Sequence, residues 1–385
     1  MFRRILLILF LPMLIADIYI FAVFIRKLTK NIPLRILWFI PTILLISGVY
    51  LYFYSGIHLE YRDTFMVAFA AIAFAKILFT VVSWLDLPLR YFLRKWKVYP
   101  FTIIGSILAI GVLYIAVYGH VWGKTNFEIK EVTFASPNLP ASFDGYRIVQ
   151  ISDLHIASWE GDTKPIEKLV EIVNQQQADA IMITGDLVHN RAIELDGFED
   201  ILSRIKARDG VYSVLGNHDY GLYYPWKNDK AKEDNLRDLK QRQTDMGWIL
   251  LNNEHTFLKR GNDSIALIGV ENAGVKHFPD FSDLPKAMKG TETTDFKLLL
   301  SHDPSHWQRE VLSTDIDLML SGHTHGAQLA IGPISPVSFI YPEWSGLYTQ
   351  GEKGLYINVG IGSVAIPFRY GAFPEITVIR LKNSK

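Results

Sequence analysis

Four apolar stretches occupy the first third of this 385-residue chain, and they constrain its fold more than any other feature: positions 5–25, 34–54, 65–85 and 101–122. Each is long enough to cross a hydrocarbon core, which takes about 20 residues of helix. In that medium a lone segment must satisfy its own backbone N–H and C=O groups, which only a helix does. The chain is therefore expected to open with a bundle of four transmembrane α-helices over residues 1–125. The lipid bilayer is its first expected partner.

The formal net charge of zero conceals two opposite halves. Residues 1–124 carry 13 Lys and Arg against 4 Asp and Glu, whereas the remainder carries 26 against 35. An acidic second half disfavours a nucleic-acid groove, where neutralised phosphates supply much of the affinity. Within the helical half the cations cluster. Arg26, Lys27, Lys30 and Arg35 follow the first stretch, Arg90, Arg94, Lys95 and Lys97 follow the third, and the N-terminus and second loop together offer only Arg3, Arg4 and Arg62. Short loops rich in Lys and Arg remain cytoplasmic, so both termini and the whole second half are expected outside. Tyr50, Tyr52, Tyr54, Trp96, Tyr99, Tyr118 and Trp122 lie near the stretch ends, where interfacial aromatics collect.

Asp17 falls just past the middle of the first stretch and Lys76 just past the middle of the third. An even number of crossings makes these spans run in the same direction, so the two charges share a depth. An isolated charge there is costly, and an Asp17 to Lys76 ion pair is predicted.

From Asn126 the pattern changes to short apolar runs separated by polar turns, an alternating strand and helix domain over 126–385. Runs at 147–152, 180–184, 211–215, 296–301 and 316–320 read as strands. The spacing of Ile166, Leu169, Val170 and Val173, and of Phe198, Ile201, Leu202 and Ile205, marks helical crossovers. That order builds parallel pairing. Each strand stops at a polar motif: Asp153-Leu154-His155, Gly185-Asp186, Gly216-Asn217-His218-Asp219, His302, and Gly322-His323-Thr324-His325. All are expected on one edge of one sheet, the crevice where open sheets bind ligands. Carboxylates, imidazoles and a carboxamide, in a chain without cysteine, suit Mn²⁺, Fe²⁺ or Zn²⁺. One such residue is an ordinary turn or cap; five ordered motifs form a ligand set.

In this order the motifs resemble those of the calcineurin-like metallophosphoesterase superfamily, over roughly residues 126–385. The layout, with the tail Ile366-Pro367-Phe368-Arg369 and Pro374-Glu375-Ile376, is similar to its membrane-anchored bacterial branch, the transmembrane and YkuE/YaeI-like metallophosphoesterases. The resemblance implies an α/β domain built as a four-layer αββα sandwich after the helical bundle. It implies two divalent ions, the first on Asp153, His155 and His325, the second on Asn217, His302 and His323, with Asp186 bridging. It makes His218 a general acid oriented by Asp219. The implied substrate is a phosphate ester or diester, lipid-linked or envelope-associated, and the implied location the bacterial cytoplasmic membrane with the catalytic domain extracytoplasmic.

Two other readings stand beside it: a cytoplasm-facing enzyme similar to UDP-2,3-diacylglucosamine pyrophosphatase, and a non-enzymatic metal-binding membrane sensor. His218, which binds no metal in this scheme, argues against the sensor. After Gly185-Asp186 many members carry a further Asp, whereas this chain reads Leu187-Val188-His189-Asn190, and His189 is expected at the surface. Tyr223, Trp226 and Arg369 are candidate substrate contacts. His120, His255, His277 and His306 are expected to be structural or exposed.

Overall fold

The chain folds as two units, one comprising Met1–Gly123 with Ala365–Tyr370, the other Lys124–Val364 with Gly371–Lys385. The computed structural model describes residues 2–54, 62–92, 99–275 and 278–385. Arg94, Lys95, Trp96, Lys97 and His277 lie outside the described residues.

In the helical unit, α1 (Phe2–Ile20) continues into a π-helical turn at Phe21–Ile25, and α2 (Ile40–Tyr54), α3 (Arg62–Trp84) and α4 (Pro100–Val121) follow. Among the described residues three apolar helices are long enough to cross a membrane, Ile8–Leu28, Asp63–Leu89 and Pro100–Thr125, and a shorter one covers Ile40–Leu51. The second apolar stretch is thus cut. A short helix at Ile32–Leu37 ends before α2 begins, with Pro41 at the break. Proline has no N–H to donate, and its ring crowds the carbonyl four residues back. At the head of α4 the Asp86 carboxylate accepts the N–H groups of Phe101 (3.2 Å) and Thr102 (2.7 Å). It satisfies donors the first turn leaves open and sets an anion at the positive end of the helix dipole.

The expected ion pair is formed: Lys76 Nζ lies 2.6 Å from Asp17 Oδ1. Thr42 closes the group, donating to Asp17 Oδ2 at 2.5 Å and accepting from Lys76 Nζ at 2.7 Å. The Trp38 ring covers the ammonium at 5.0 Å. Asp17 is 1% exposed, so α1, α2 and α3 are tied together by charges that would be costly alone. The segment Ala365–Tyr370 also packs within this unit. The Arg369 N–H reaches the Gly119 carbonyl at 3.1 Å, and His120 Nδ1 donates to the Pro367 carbonyl at 2.8 Å.

Twelve strands build the second unit among the described residues. The first eight are β1 (Glu128–Ser136), β2 (Arg147–Ile151), β3 (Ala180–Thr184), β4 (Val211–Val214), β5 (Ile249–Leu250), β6 (Glu254–Arg260), β7 (Asp263–Gly269) and β8 (Lys297–Leu300). Then come β9 (Leu318–Ser321), β10 (Gly346–Gln350), β11 (Lys353–Ile357) and β12 (Glu375–Asn383). They form two six-stranded mixed sheets, ordered β1-β12-β2-β3-β4-β5 and β10-β11-β9-β8-β7-β6.

Side chains that alternate along each strand explain how the layers stack. Val149, Ile151, Ile181 and Ile183 face a core shared with α5 (Lys164–Gln175) and α6 (Glu199–Leu202). On the opposite face, Ile148, Ala180 and Met182 meet Leu267, Leu298, Leu300, Leu318 and Leu320 of the second sheet. That sheet's outer face, with Ala266, Ile268, Leu299 and Met319, packs on Trp307 and on Leu284 and Ala287 of α7 (Leu284–Met288). Helix, sheet, sheet, helix is the expected four-layer αββα sandwich. Both faces of each sheet are covered, which is why its central strands read as continuous apolar runs.

Candidate metal centre

The motif residues converge at the C-terminal ends of β2, β3, β4, β8 and β9. The expectation of a single sheet edge is corrected: the first three strands belong to one sheet and the last two to the other. The buried middle core stacks the sheets so that both edges end together. Gln150 crosses between them, donating to the Ser321 carbonyl at 2.8 Å, and the His323 N–H reaches Asp153 Oδ2 at 3.0 Å.

The backbone is bent to aim these side chains. Asp153, His155, Asp186, His323 and His325 adopt φ of 51°, 39°, 55°, 72° and 51°. Left-handed backbone costs a non-glycine residue about 1 kcal/mol or more, and it gathers where function demands a particular side-chain direction. The motif glycines make room for neighbouring loops. A Cβ on Gly216 would run into the Asp186 carboxylate, and one on Gly322 into the Ser152 hydroxyl and the Asp153 carboxylate.

Two overlapping ligand groups result among the described residues: Asp153, His155, Asp186 and His325, then Asp186, His302 and His323, with the ligating atoms of each group within 4.8 Å of one another. Asp186 is common to both. Its Oδ2 stands 3.4 Å from His155 Nε2 and 3.2 Å from His302 Nε2. His155 Nε2 approaches His325 Nε2 to 3.1 Å, and His325 Nε2 is 3.2 Å from Asp153 Oδ1. His302 donates Nδ1–H to the Thr184 carbonyl at 2.7 Å, which fixes its tautomer and turns Nε2 inward. The Asn217 amide donates to the Tyr223 hydroxyl at 3.0 Å, leaving Asn217 Oδ1 buried without a partner, as is His155 Nδ1. Such orphans are rare in folded chains and call for a reason. For Asn217 Oδ1 a nitrogen- and oxygen-ligated divalent cation supplies one, and the donor set fits it.

The electrostatics agree. Burial opposes charge on Asp153 and Asp186, yet His325 beside the first and His302 beside the second hold both carboxyls well below the usual range. Burial also opposes charge on His302, but Asp186 overcomes it and lifts the imidazole to about 10. At His155 and His323 burial prevails and their pKa values fall. The cluster thus favours positive charge beside Asp186 and surrounds it with neutral nitrogen donors.

His218 sits against this cluster. Its N–H donates to Asp186 Oδ1 at 2.9 Å and its Nδ1–H to the His189 carbonyl at 2.8 Å; burial lowers its imidazole to about 4. The resemblance gives Asp219 the orienting role; in the structure its carboxylate oxygens take backbone N–H groups. Asp219 Oδ2 accepts from Asp186 N (2.8 Å) and Gly216 N (2.9 Å), and Oδ1 from Leu187 N (2.9 Å) and Val188 N (3.2 Å). Its carboxylate is consumed in pinning two ligand loops together.

His189 departs from the expected surface position as well. Its ring lies 4.7 Å from that of His155, and its Nδ1 is buried without a partner. Glu194 pulls this turn inward by accepting the His189 N–H at 2.6 Å. A further residue is not among the candidates named from sequence: the Tyr341 hydroxyl, in a long loop, lies 3.0 Å from His323 Nε2.

Of the candidate substrate contacts, Tyr223 is at the site, its ring 4.7 Å from that of His218. Trp226 is engaged in its own loop, donating to the Gly221 carbonyl at 2.6 Å and packing on Tyr224. Arg369 is buried, 0% exposed, and belongs with the helical unit, where its backbone N–H reaches the Gly119 carbonyl at 3.1 Å. His306 lies between Ser301 and Glu310, both at 2.9 Å, and His255 donates to the Ala287 carbonyl. Both are structural, as expected.

Comparison with known proteins follows the same division. Residues 146–327 match the family described as Calcineurin-like phosphoesterase, and residues 3–124 the one described as Probable Calcineurin-like phosphoesterase, transmembrane domain. The chain is 32% identical over 280 residues to the "Transmembrane protein with metallophosphoesterase domain" of Danio rerio, across 70% of this chain and 61% of that protein. It thus spans less than two thirds of that relative. It is 29% identical to the uncharacterized metallophosphoesterase YkuE of Bacillus subtilis (67% of this chain, 86% of the relative). With an uncharacterized metallophosphoesterase of Helicobacter pylori (strain J99) it shares 30% identity across 72% of this chain and 70% of the relative. The chain belongs to the calcineurin-like metallophosphoesterases: it is a membrane-associated, metal-dependent phosphoric-ester hydrolase with an N-terminal transmembrane domain.

Proposed function

We propose that this chain hydrolyses a phosphate ester or diester, lipid-linked or envelope-associated, at a dinuclear centre of Mn²⁺, Fe²⁺ or Zn²⁺. Asp153, His155 and His325 would hold one ion and Asn217, His302 and His323 the other, with Asp186 shared. Bound there, divalent ions would neutralise phosphate charge and ionise the attacking water. The carrying observation is Asp186, whose one carboxylate oxygen lies within 3.4 Å of imidazoles from both groups.

The protein's own contribution is proton management. With Nδ1–H held by the His189 carbonyl, the remaining nitrogen of His218 is positioned to carry a proton to the leaving oxygen. Tyr223 and Asn217 line the approach. The positive loops after the first and third apolar stretches support a catalytic unit outside the bacterial cytoplasmic membrane.

The test uses the full chain in lipid nanodiscs, loaded in turn with each metal and offered p-nitrophenyl phosphate and bis-p-nitrophenyl phosphate. Metal-dependent release of nitrophenol from at least one is expected. Stoichiometric metal binding without turnover of either would refute the reading.

A further inference from the structure

The loop beyond the last ligand motif carries a surface that the metal centre does not use. Residues 329–342 contain no Asp, Glu, Lys, Arg or His, and Ile331, Ile334, Phe339 and Ile340 are 63%, 66%, 89% and 73% exposed. Apolar side chains exposed singly are ordinary; four on one uncharged loop are not. They are held outward. Ser335 and Val337 are buried beneath them, and Ser335 Oγ donates to the Gly326 carbonyl at 2.6 Å.

The loop's polar groups are largely closed upon themselves. Ile331 and Ile334 exchange backbone bonds of 2.9 and 3.3 Å, and the N–H groups of Ser338, Ile340 and Tyr341 go to the carbonyls of Ser335 and Val337. Ser338 Oγ donates to the Ser335 carbonyl at 2.7 Å. A segment with this bonding can leave water with few orphaned groups, the condition that lipid imposes on backbone.

We infer that this loop is a membrane wedge, with Ile331, Ile334, Phe339 and Ile340 entering the bilayer interface, and that it delivers a bilayer-resident, long-chain phosphate ester to the metal centre. Two observations select lipid over a protein partner or a second copy. The chain spans a membrane itself, so tethering keeps a lipid surface at high effective concentration. The loop itself also carries no charged side chain, and charge is what a bilayer makes costly. The link to chemistry is covalent: Tyr341 directly follows Ile340 and reaches His323 at 3.0 Å. The delivery half rests on the phosphoesterase reading above; the wedge half does not.

The experiment uses the full chain in phosphatidylcholine and phosphatidylglycerol vesicles. Because the protein has no cysteine, Phe339→Cys can carry a single environment-sensitive fluorophore, with Lys230→Cys, whose side chain is 80% exposed, as the control. Nitroxide-labelled lipids are expected to quench the label at 339 severalfold more than that at 230, even at one protein per vesicle. Equal quenching, or shielding that disappears on dilution, overturns the wedge. In the same vesicles the double variant Phe339→Glu/Ile340→Glu should lower kcat/KM on a long-chain lipid phosphodiester by about 10-fold or more and leave bis-p-nitrophenyl phosphate hydrolysis unchanged. Equal loss on both substrates, or no loss on either, overturns delivery. If the unmodified protein hydrolyses neither, the phosphoesterase reading fails and quenching alone decides the wedge.

Discussion

The two units bury charge in opposite ways. In the helical unit, Asp17, Thr42 and Lys76 form a closed group in which each carboxylate oxygen has its own partner, at 2.6 and 2.5 Å. In the candidate metal centre, imidazole nitrogens of His155 and His325 crowd to 3.1 Å while Asn217 Oδ1 has no partner. A closed group stabilises the fold and offers nothing to a ligand. An open one keeps its donors aimed at something else, and the left-handed backbone at five candidate ligand positions shows what aiming them costs.

This contrast is broken most severely at Asp186. Asp186→Asn removes the charge common to both ligand groups, and metal content and activity should fall together, the latter by at least about 10³-fold, the scale of losing a principal charge stabiliser. Elemental analysis beside a chromogenic assay checks this; retention of both ions would end the bridging assignment.

His218→Ala should separate what Asp186→Asn joins. Metal content should stay near that of the parent, while kcat/KM falls by about 10² to 10⁴. The sign of the pH dependence follows from the group. A general acid works in its protonated form, which is lost as pH rises through its pKa, and burial sets that pKa low, to about 4. An arriving phosphate anion favours the imidazolium, so the descending limb in kcat should lie at higher pH than the limb in kcat/KM. Both should vanish in His218→Ala; a surviving limb would assign the acid elsewhere.

The closed group gives the smallest catalytic effect and a clear energetic one. Asp17→Asn or Lys76→Met alone should destabilise the helical unit by about 3 to 5 kcal/mol, because each leaves an uncompensated buried partner. The double variant should lose less than the sum of the two. Thermal unfolding in detergent measures it, and additive losses would contradict the pair.

Much of this was legible in sequence because it depends on local pattern. Apolar length marked the membrane segments, period-two and 3.6 spacing marked the strands and crossovers, and motifs at strand ends marked Asp153, His155, Asp186, Asn217, His302, His323 and His325. Even the Asp17 to Lys76 pair followed from depth alone. The misses share a different cause. The assignment of ligands to one sheet edge failed because strand order says which strands are parallel, not which sheet each joins. The resemblance implied that Asp219 orients the His218 ring, yet its carboxylate is used by four backbone N–H groups from two loops.

By itself, then, the sequence determined the division into a membrane unit and an α/β unit, and the ligand types, since both follow from composition and from residues near one another in the chain. Only tertiary structure decided that two stacked sheets share one centre and that His189 and Tyr341 belong beside it. Those outcomes depend on which loops a buried core brings together. Residues from Asp153 to Tyr341 become neighbours only after that core has formed, and no local periodicity encodes the meeting.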